Sequence, residues 1–174
     1  MASPRLQDPN FERTVVLVLE NADDGTLGLV LNRPTSTSVA EVLRSWAGIA
    51  DRTPPAVIFE GGPVAPDVAV GLAGPGAGTA ASGPIVGDIG LVDLSAAPPG
   101  PAAAPRSVRV FAGYAGWAPG QLADELAEGA WFVVDAQESD LVAGVPEDLW
   151  RVVLRRQPGS LRMLAAYPAD PAMN

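Results

Sequence analysis

Two apolar runs near the start of the chain set the terms for its fold. Residues 13–20 read RTVVLVLE and residues 27–31 read LGLVL. Both have the length of a strand, and the first is rich in β-branched residues. Between them stands Asn21-Ala22-Asp23-Asp24-Gly25, whose Asp-Gly pair signals a tight turn. The reading is a β-hairpin. Both runs are apolar at nearly every residue, so neither has a face suited to water. Such strands belong inside a sheet that helices cover on both sides.

The rest of the chain supplies those helices and further strands. Residues 38–49 read as a helix: Val39, Val42, Leu43, Trp46 and Ile49 recur on one face, and Ser38 with Glu41 has the spacing of a capping box. Residues 51–55 end it. AVIFE at 56–60 is a short strand, and Gly61-Gly62-Pro63 must turn sharply after it. Residues 67–73 form a strand, 74–83 a flexible glycine-rich loop, and 89–94 contain a further strand. PPGPAAAP at 98–105 is a surface loop. SVRVFAG at 107–113 is a strand. Residues 119–128 form a helix with Pro119 at its first position and Gly129 at its C-terminal cap. AWFVVD at 130–135 reads as a strand, and 146–156 as a last helix with acids at its start and arginines at its end. Strands and helices interleave, which favours an α/β or α+β domain with a mixed sheet. A length of 174 residues suits one domain spanning 1–174.

Three absences narrow the chemistry. The chain has no Cys and no His, and all 11 of its basic residues are Arg. No thiolate, disulfide or cysteine metal site is available. No imidazole relay exists, and no lysine Schiff base or P-loop lysine. Acid–base work falls to Asp, Glu or Tyr, and a metal would have to be a hard, oxygen-bound cation. No cofactor is implied. The lysine deficit has a plain source: 29 Ala, 19 Gly, 18 Pro and an all-Arg basic set are what a GC-rich genome encodes.

The formal net charge is −9, which argues against direct DNA binding because such binding rests on neutralising phosphates. Only Arg151, Arg155 and Arg156 come close to clustering. No apolar run approaches the roughly 20 residues that span a bilayer. The start lacks the pattern of a signal peptide. The expectation is a cytoplasmic protein without membrane contact.

Four segments carry a family resemblance. They are Asp8-Pro9-Asn10-Phe11-Glu12-Arg13-Thr14-Val15; Gly25 through Pro34 (GTLGLVLNRP); Gly61-Gly62-Pro63-Val64; and Gly113 through Leu122 (GYAGWAPGQL) continuing to Glu125 and Trp131. Glu147-Asp148-Leu149-Trp150 adds a weaker fifth. Their order and spacing resemble the YqgE/AlgH family, bacterial proteins of uncharacterised function, some labelled transcriptional regulators. The resemblance runs from Asp8 to about Leu154. It implies a compact three-layer arrangement with helices packed on a mixed sheet, and implies little about activity. One departure stands out: the family has an apolar strand ahead of Pro4-Arg5-Leu6-Gln7-Asp8-Pro9, and here only Met1-Ala2-Ser3 precede it. Either the start is set elsewhere or an edge strand is missing, with unpaired backbone at that edge.

The candidate ligand-binding residues are Asn32, Arg33, Gly61, Gly62, Tyr114, Gly116, Trp117 and Gln121. Asn32 and Arg33 end a strand, where they either grip a carboxylate or phosphate or serve the fold, Arg33 pairing with an acid such as Glu60 and Asn32 fixing the turn. Gly61 and Gly62 form an anion nest or a turn that needs positive φ. Residues 113–117 form a loop feeding the helix at 119. There Tyr114 and Trp117 offer stacking surface and Gln121 reaches from the first turn; the other reading makes Trp117 a core plug. Asp8 and Arg13 read as a structural pair or cap. Asp124, Glu125 and Glu128 share a helix, without the spacing of a calcium loop.

The function this favours is a non-enzymatic binding or regulatory module whose partner is a protein or a small molecule. A transcriptional regulator is the first rival, though no helix-turn-helix pair is visible. A carboxylate-based or Mg²⁺-dependent enzyme using Glu60, Asp88 or Asp93 is the second.

Overall fold

The structure is a computed structural model that describes residues 1–74 and 83–167. The glycine-rich loop expected at 74–83 falls almost wholly outside the described residues. Among the described residues eight strands carry the fold: β1 (Val16–Ala22), β2 (Gly25–Val30), β3 (Pro34–Ser38), β4 (Val57–Glu60), β5 (Val64–Ala73), β6 (Pro84–Val86), β7 (Ile89–Val92) and β8 (Val108–Trp117). The order is β1-β2-β8-β5-β7-β6, with β3 attached through β4 to β8. All pairings are antiparallel except β4 with β8. The sheet curls into a nearly closed, barrel-like form. The α-helices are short: α1 (Val39–Val42), α2 (Ala47–Ala50), α3 (Gln121–Ala127), α4 (Glu138–Leu141) and α5 (Leu149–Arg155). A mixed α/β composition is therefore as expected.

β8 organises the molecule. Its first half runs beside β4 and its second half beside β2, while β5 lines its other edge. Its side chains alternate between two cores, as the period of two in a strand requires. Phe111 enters a cluster with Leu29, Phe59, Leu149, Trp150 and Val153. Val108 and Val110 enter another with Val39, Trp46, Ile49 and Ile58. α5 thus packs on one face and the α1–α2 segment on the other.

Four expectations change. The hairpin forms, with Ala22 opposite Gly25, and β2 is buried as expected. β1 is not: among the described strands it pairs with β2 alone, and Val18 is 45% exposed. The helix at 38–49 breaks into α1, a 3₁₀ turn at Arg44–Trp46 and α2. Leu43 leaves helical geometry (φ −128°, ψ 66°), and of the expected capping box only the Ser38 hydroxyl accepting from Ala40 N–H is formed. Gly48 and the β-branched residues lower the helix propensity that would otherwise hold the segment together. Residues 114–117 are not a loop; β8 continues through them because Thr26, Leu27 and Gly28 pair with Trp117, Gly116 and Ala115. The strand at 130–135 shrinks to one bridge, Trp131 with Ala2. Residues 1–3 lie between that segment and Thr14, whose carbonyl accepts from Ala2 N–H at 2.9 Å. Past Phe132 no described residue pairs to extend the strand, and Val133 is 81% exposed.

Candidate functional site

A cleft of about 720 Å³ opens where β3, β4, β5 and α1 meet. Arg33, Glu60, Gly62 and Asp67 line it, with Val42 and Val68 among its apolar residues. Its outer wall is a break in the β5–β8 ladder. Val64 pairs with Tyr114 and Ala69 with Ala112, so residues 65–68 stand opposite Gly113 alone. This bulge throws Pro66, Asp67 and Val68 outward over the cleft. Ala65 sits at φ 48°, a left-handed conformation that costs a residue with a Cβ about 1 kcal/mol or more. Gly113 answers it at φ 69°, where a Cβ would come within 2.6 Å of the Gly62 carbonyl oxygen.

Arg33 and Glu60 are backbone neighbours, since Glu60 N–H donates to Arg33 O at 2.8 Å. The expected ion pair between their side chains is not formed among the described residues. Arg33 instead donates Nη2 to Glu12 O at 2.7 Å. That bond fixes the guanidinium at the cleft and leaves Glu60 and Asp67, both exposed, as separate negative groups. Asn32, by contrast, is 8% exposed and fully engaged: its Oδ1 accepts from Val15 N–H at 2.8 Å and its Nδ2 donates to Arg13 O at 2.9 Å. It clamps the entry to β1. Asp8 caps locally, accepting from Asn10 N–H, while Arg13 lies over the Trp150 ring at 5.0 Å.

The glycine pair follows close packing. Gly61 N–H donates to Ala112 O and its carbonyl accepts from Val30 N–H, so its amide is not open to an anion. Gly62 has φ 149°, and a Cβ there would overlap the backbone of Tyr114 and Ala115. Of the pair, Gly62 reaches the cleft.

The second half of the candidate set builds a different structure. Glu125 accepts from Trp117 Nε1 at 3.0 Å, from Trp131 Nε1 at 2.7 Å and from Gln121 Nε2 at 2.8 Å. Gln121 Oε1 in turn accepts from Ala118 N–H at 3.0 Å. The two indoles meet edge to face at 5.6 Å, and Phe11 stacks on Trp117 at 5.9 Å. Trp117 is therefore a core plug held by a carboxylate. One of its edges also lines an apolar cavity of about 330 Å³ between β1 and residues 131–136. Tyr114 and Gly116 are strand residues that line neither this cavity nor the cleft. The candidate set thus divides: Arg33 and Gly62 converge on the cleft, Asn32 and Trp117 are buried in packing, and Gln121 stays exposed with its amide bonded to Glu125 and Ala118.

The acids named for catalysis do not converge either. Glu60 lines the cleft. Asp88 lies elsewhere, its N–H bonded to Glu138 Oε1. Asp93 caps Ser95, whose hydroxyl and N–H hold its carboxyl below the usual range. Sequence reasoning missed Asp67 in the cleft and Glu125 as the hub of the aromatic group. The signal for Glu125 was present: it follows Gln121 by one helical turn, and buried indoles need an acceptor.

Comparison with known proteins agrees with this architecture. Residues 1–162 match the model of a family described as AlgH-like. A UPF0301 protein of Streptomyces coelicolor is 52% identical over 180 residues, covering 100% of this chain and 92% of that one. One from Thermobifida fusca is 44% identical, with coverage of 100% and 92%. A crystal structure from Corynebacterium diphtheriae superposes with a TM-score of 0.85 at 32% identity, covering 96% of this chain and 89% of that one. The solution structure of the AlgH protein from Pseudomonas aeruginosa gives 0.68 at 29% identity, with coverage of 98% and 92%.

Proposed function

The chain belongs to the AlgH-like family, and from that premise we propose that it is a cytoplasmic, non-enzymatic binding or regulatory module acting through the Arg33 cleft. One observation carries the reading. Arg33 and Gly62, remote in sequence, line one cleft in which Glu60 and Asp67 add negative charge without pairing to the arginine. A fixed guanidinium beside apolar walls suits a small molecule or peptide segment that carries a carboxylate or phosphate. The two core clusters on opposite faces of the sheet support reading the architecture as three layers within a single domain. No helix among the described residues is long and apolar enough to cross a membrane.

The test is a melting-temperature and calorimetry panel with citrate and inorganic phosphate, run on wild type and Arg33→Ala. A charge-assisted hydrogen bond contributes about 1.5–3 kcal/mol, so the variant should bind about 10- to 150-fold more weakly. Equal binding by the two proteins would remove Arg33 from the site. Turnover in a hydrolase or transferase screen that Arg33→Ala abolishes would overturn the non-enzymatic reading.

A further inference from the structure

Arg109 presents a problem away from the cleft. It is the second residue of β8, is 3% exposed, and lies with its guanidinium carbon 4.5 Å from the centre of the Phe59 ring. Burial lowers its pKa to about 10, which still leaves it charged at neutral pH. Among the described residues no carboxylate pairs with it. Nη2 donates to Pro54 O at 3.3 Å and to Ala143 O at 3.0 Å, whereas Nε and Nη1 donate to nothing. A guanidinium has five N–H groups, so three remain without an acceptor. The residue before Pro54 has the same deficiency: the Thr53 hydroxyl is buried and makes no hydrogen bond. The two residues with unbonded polar atoms are linked through Pro54, whose carbonyl accepts from Arg109 Nη2 and which directly follows Thr53 in the chain.

Buried polar atoms are bonded in the great majority of cases, and an exception calls for an ion or an ordered water. A water would satisfy N–H groups but leave the charge uncompensated, and a buried charge with no counter-ion is strongly unfavourable. Cation–π contact with Phe59 offsets part of that cost, not all of it. We infer that Arg109 and Thr53 form a buried site for one small inorganic anion of the chloride class, which accepts from the free guanidinium N–H groups and from the Thr53 hydroxyl. The ion would enter at the chain turns bearing Pro54 and Gly144, both exposed. The site is independent of the Arg33 cleft and stands whether or not that cleft binds a ligand.

The experiment compares thermal unfolding in sodium chloride and in sodium gluconate at equal ionic strength. At about five times Kd, bound chloride should raise the wild-type Tm by about 2–4 °C over gluconate. Arg109→Met, which keeps the packing on Phe59 and removes the charge, should show no difference between the salts. Thr53→Val should show a reduced one, and it serves in place of Arg109→Met if that variant fails to fold. Diffraction from bromide-grown crystals should place an anomalous peak in contact with Nε or Nη1 of Arg109. Equal wild-type melting in the two salts would overturn the inference, as would a salt difference that persists in Arg109→Met or a site holding only water.

Discussion

Glu125 shows how one carboxylate can fix several large side chains. Three donors converge on its two oxygens, and two of them belong to buried indoles. Glu125→Ala leaves both indole N–H groups without an acceptor, at about 1–3 kcal/mol each. The expected loss is about 2–6 kcal/mol in urea unfolding, with a weakened near-ultraviolet aromatic signal. Gln121→Ala, which removes two exposed hydrogen bonds, should cost about 1 kcal/mol, less than Glu125→Ala. A larger effect from Gln121 would mean that it does more than brace Glu125. At this scale the sequence was half legible. Arg33 and Gly62 carry residue types suited to a binding surface, and the structure brings both to one cleft. Trp117 and Gln121 carry equally suggestive types, but which side chain an indole N–H bonds depends on helix phase and on Phe11 and Trp131, both distant in sequence from β8. Asn32 illustrates the same limit: its two partners lie 17 and 19 residues away.

At the level of elements, strands were legible wherever β-branched runs met a partner. β1, β2, β4 and the first half of β8 stand where the apolar pattern put them. Residues 130–135 carry an equally good strand pattern and form no strand beyond Trp131, because a strand needs a neighbour as well as a propensity. The bulge at 65–68 was not legible at all. It depends on backbone approach between β5 and β8, which leaves no mark in the sequence except the glycines it requires. Those glycines give the prediction at this scale. Gly62→Ala would drive a Cβ into the Tyr114 backbone while holding a φ of 149°, so neighbouring strands must separate. Destabilisation of more than about 2 kcal/mol is expected, together with loss of probe binding at the Arg33 cleft. Gly48→Ala has nothing within 4 Å of its new Cβ and should be neutral or slightly stabilising. Equal stability of the Gly62 and Gly48 variants in denaturant would show that the close approach does not constrain the bulge.

For the whole molecule, charge placement decides what kind of partner is possible. The chain carries 20 acids against 11 arginines, so its mean field repels polyanions. A local basic face could still override that field, and the C-terminal helix offers the one cluster the sequence suggests. The structure removes a third of it: Arg156 is bound to Asp140 through both terminal nitrogens and donates to Asp135 O as well. Arg151 and Arg155 remain, on a helix of seven residues. Two phosphate contacts give a salt slope of only about −1.8 in log K against log salt, far below that of proteins that hold duplex DNA. Arg109, a buried arginine, is enclosed beneath Phe59 and out of reach of a phosphate backbone. A gel-shift titration at physiological salt should therefore show no retarded band up to micromolar protein. Any weak association at low salt should vanish on moderate salt addition and be insensitive to sequence. A sequence-dependent band at physiological salt would place a recognition surface where neither the charge pattern nor the short helices provide one.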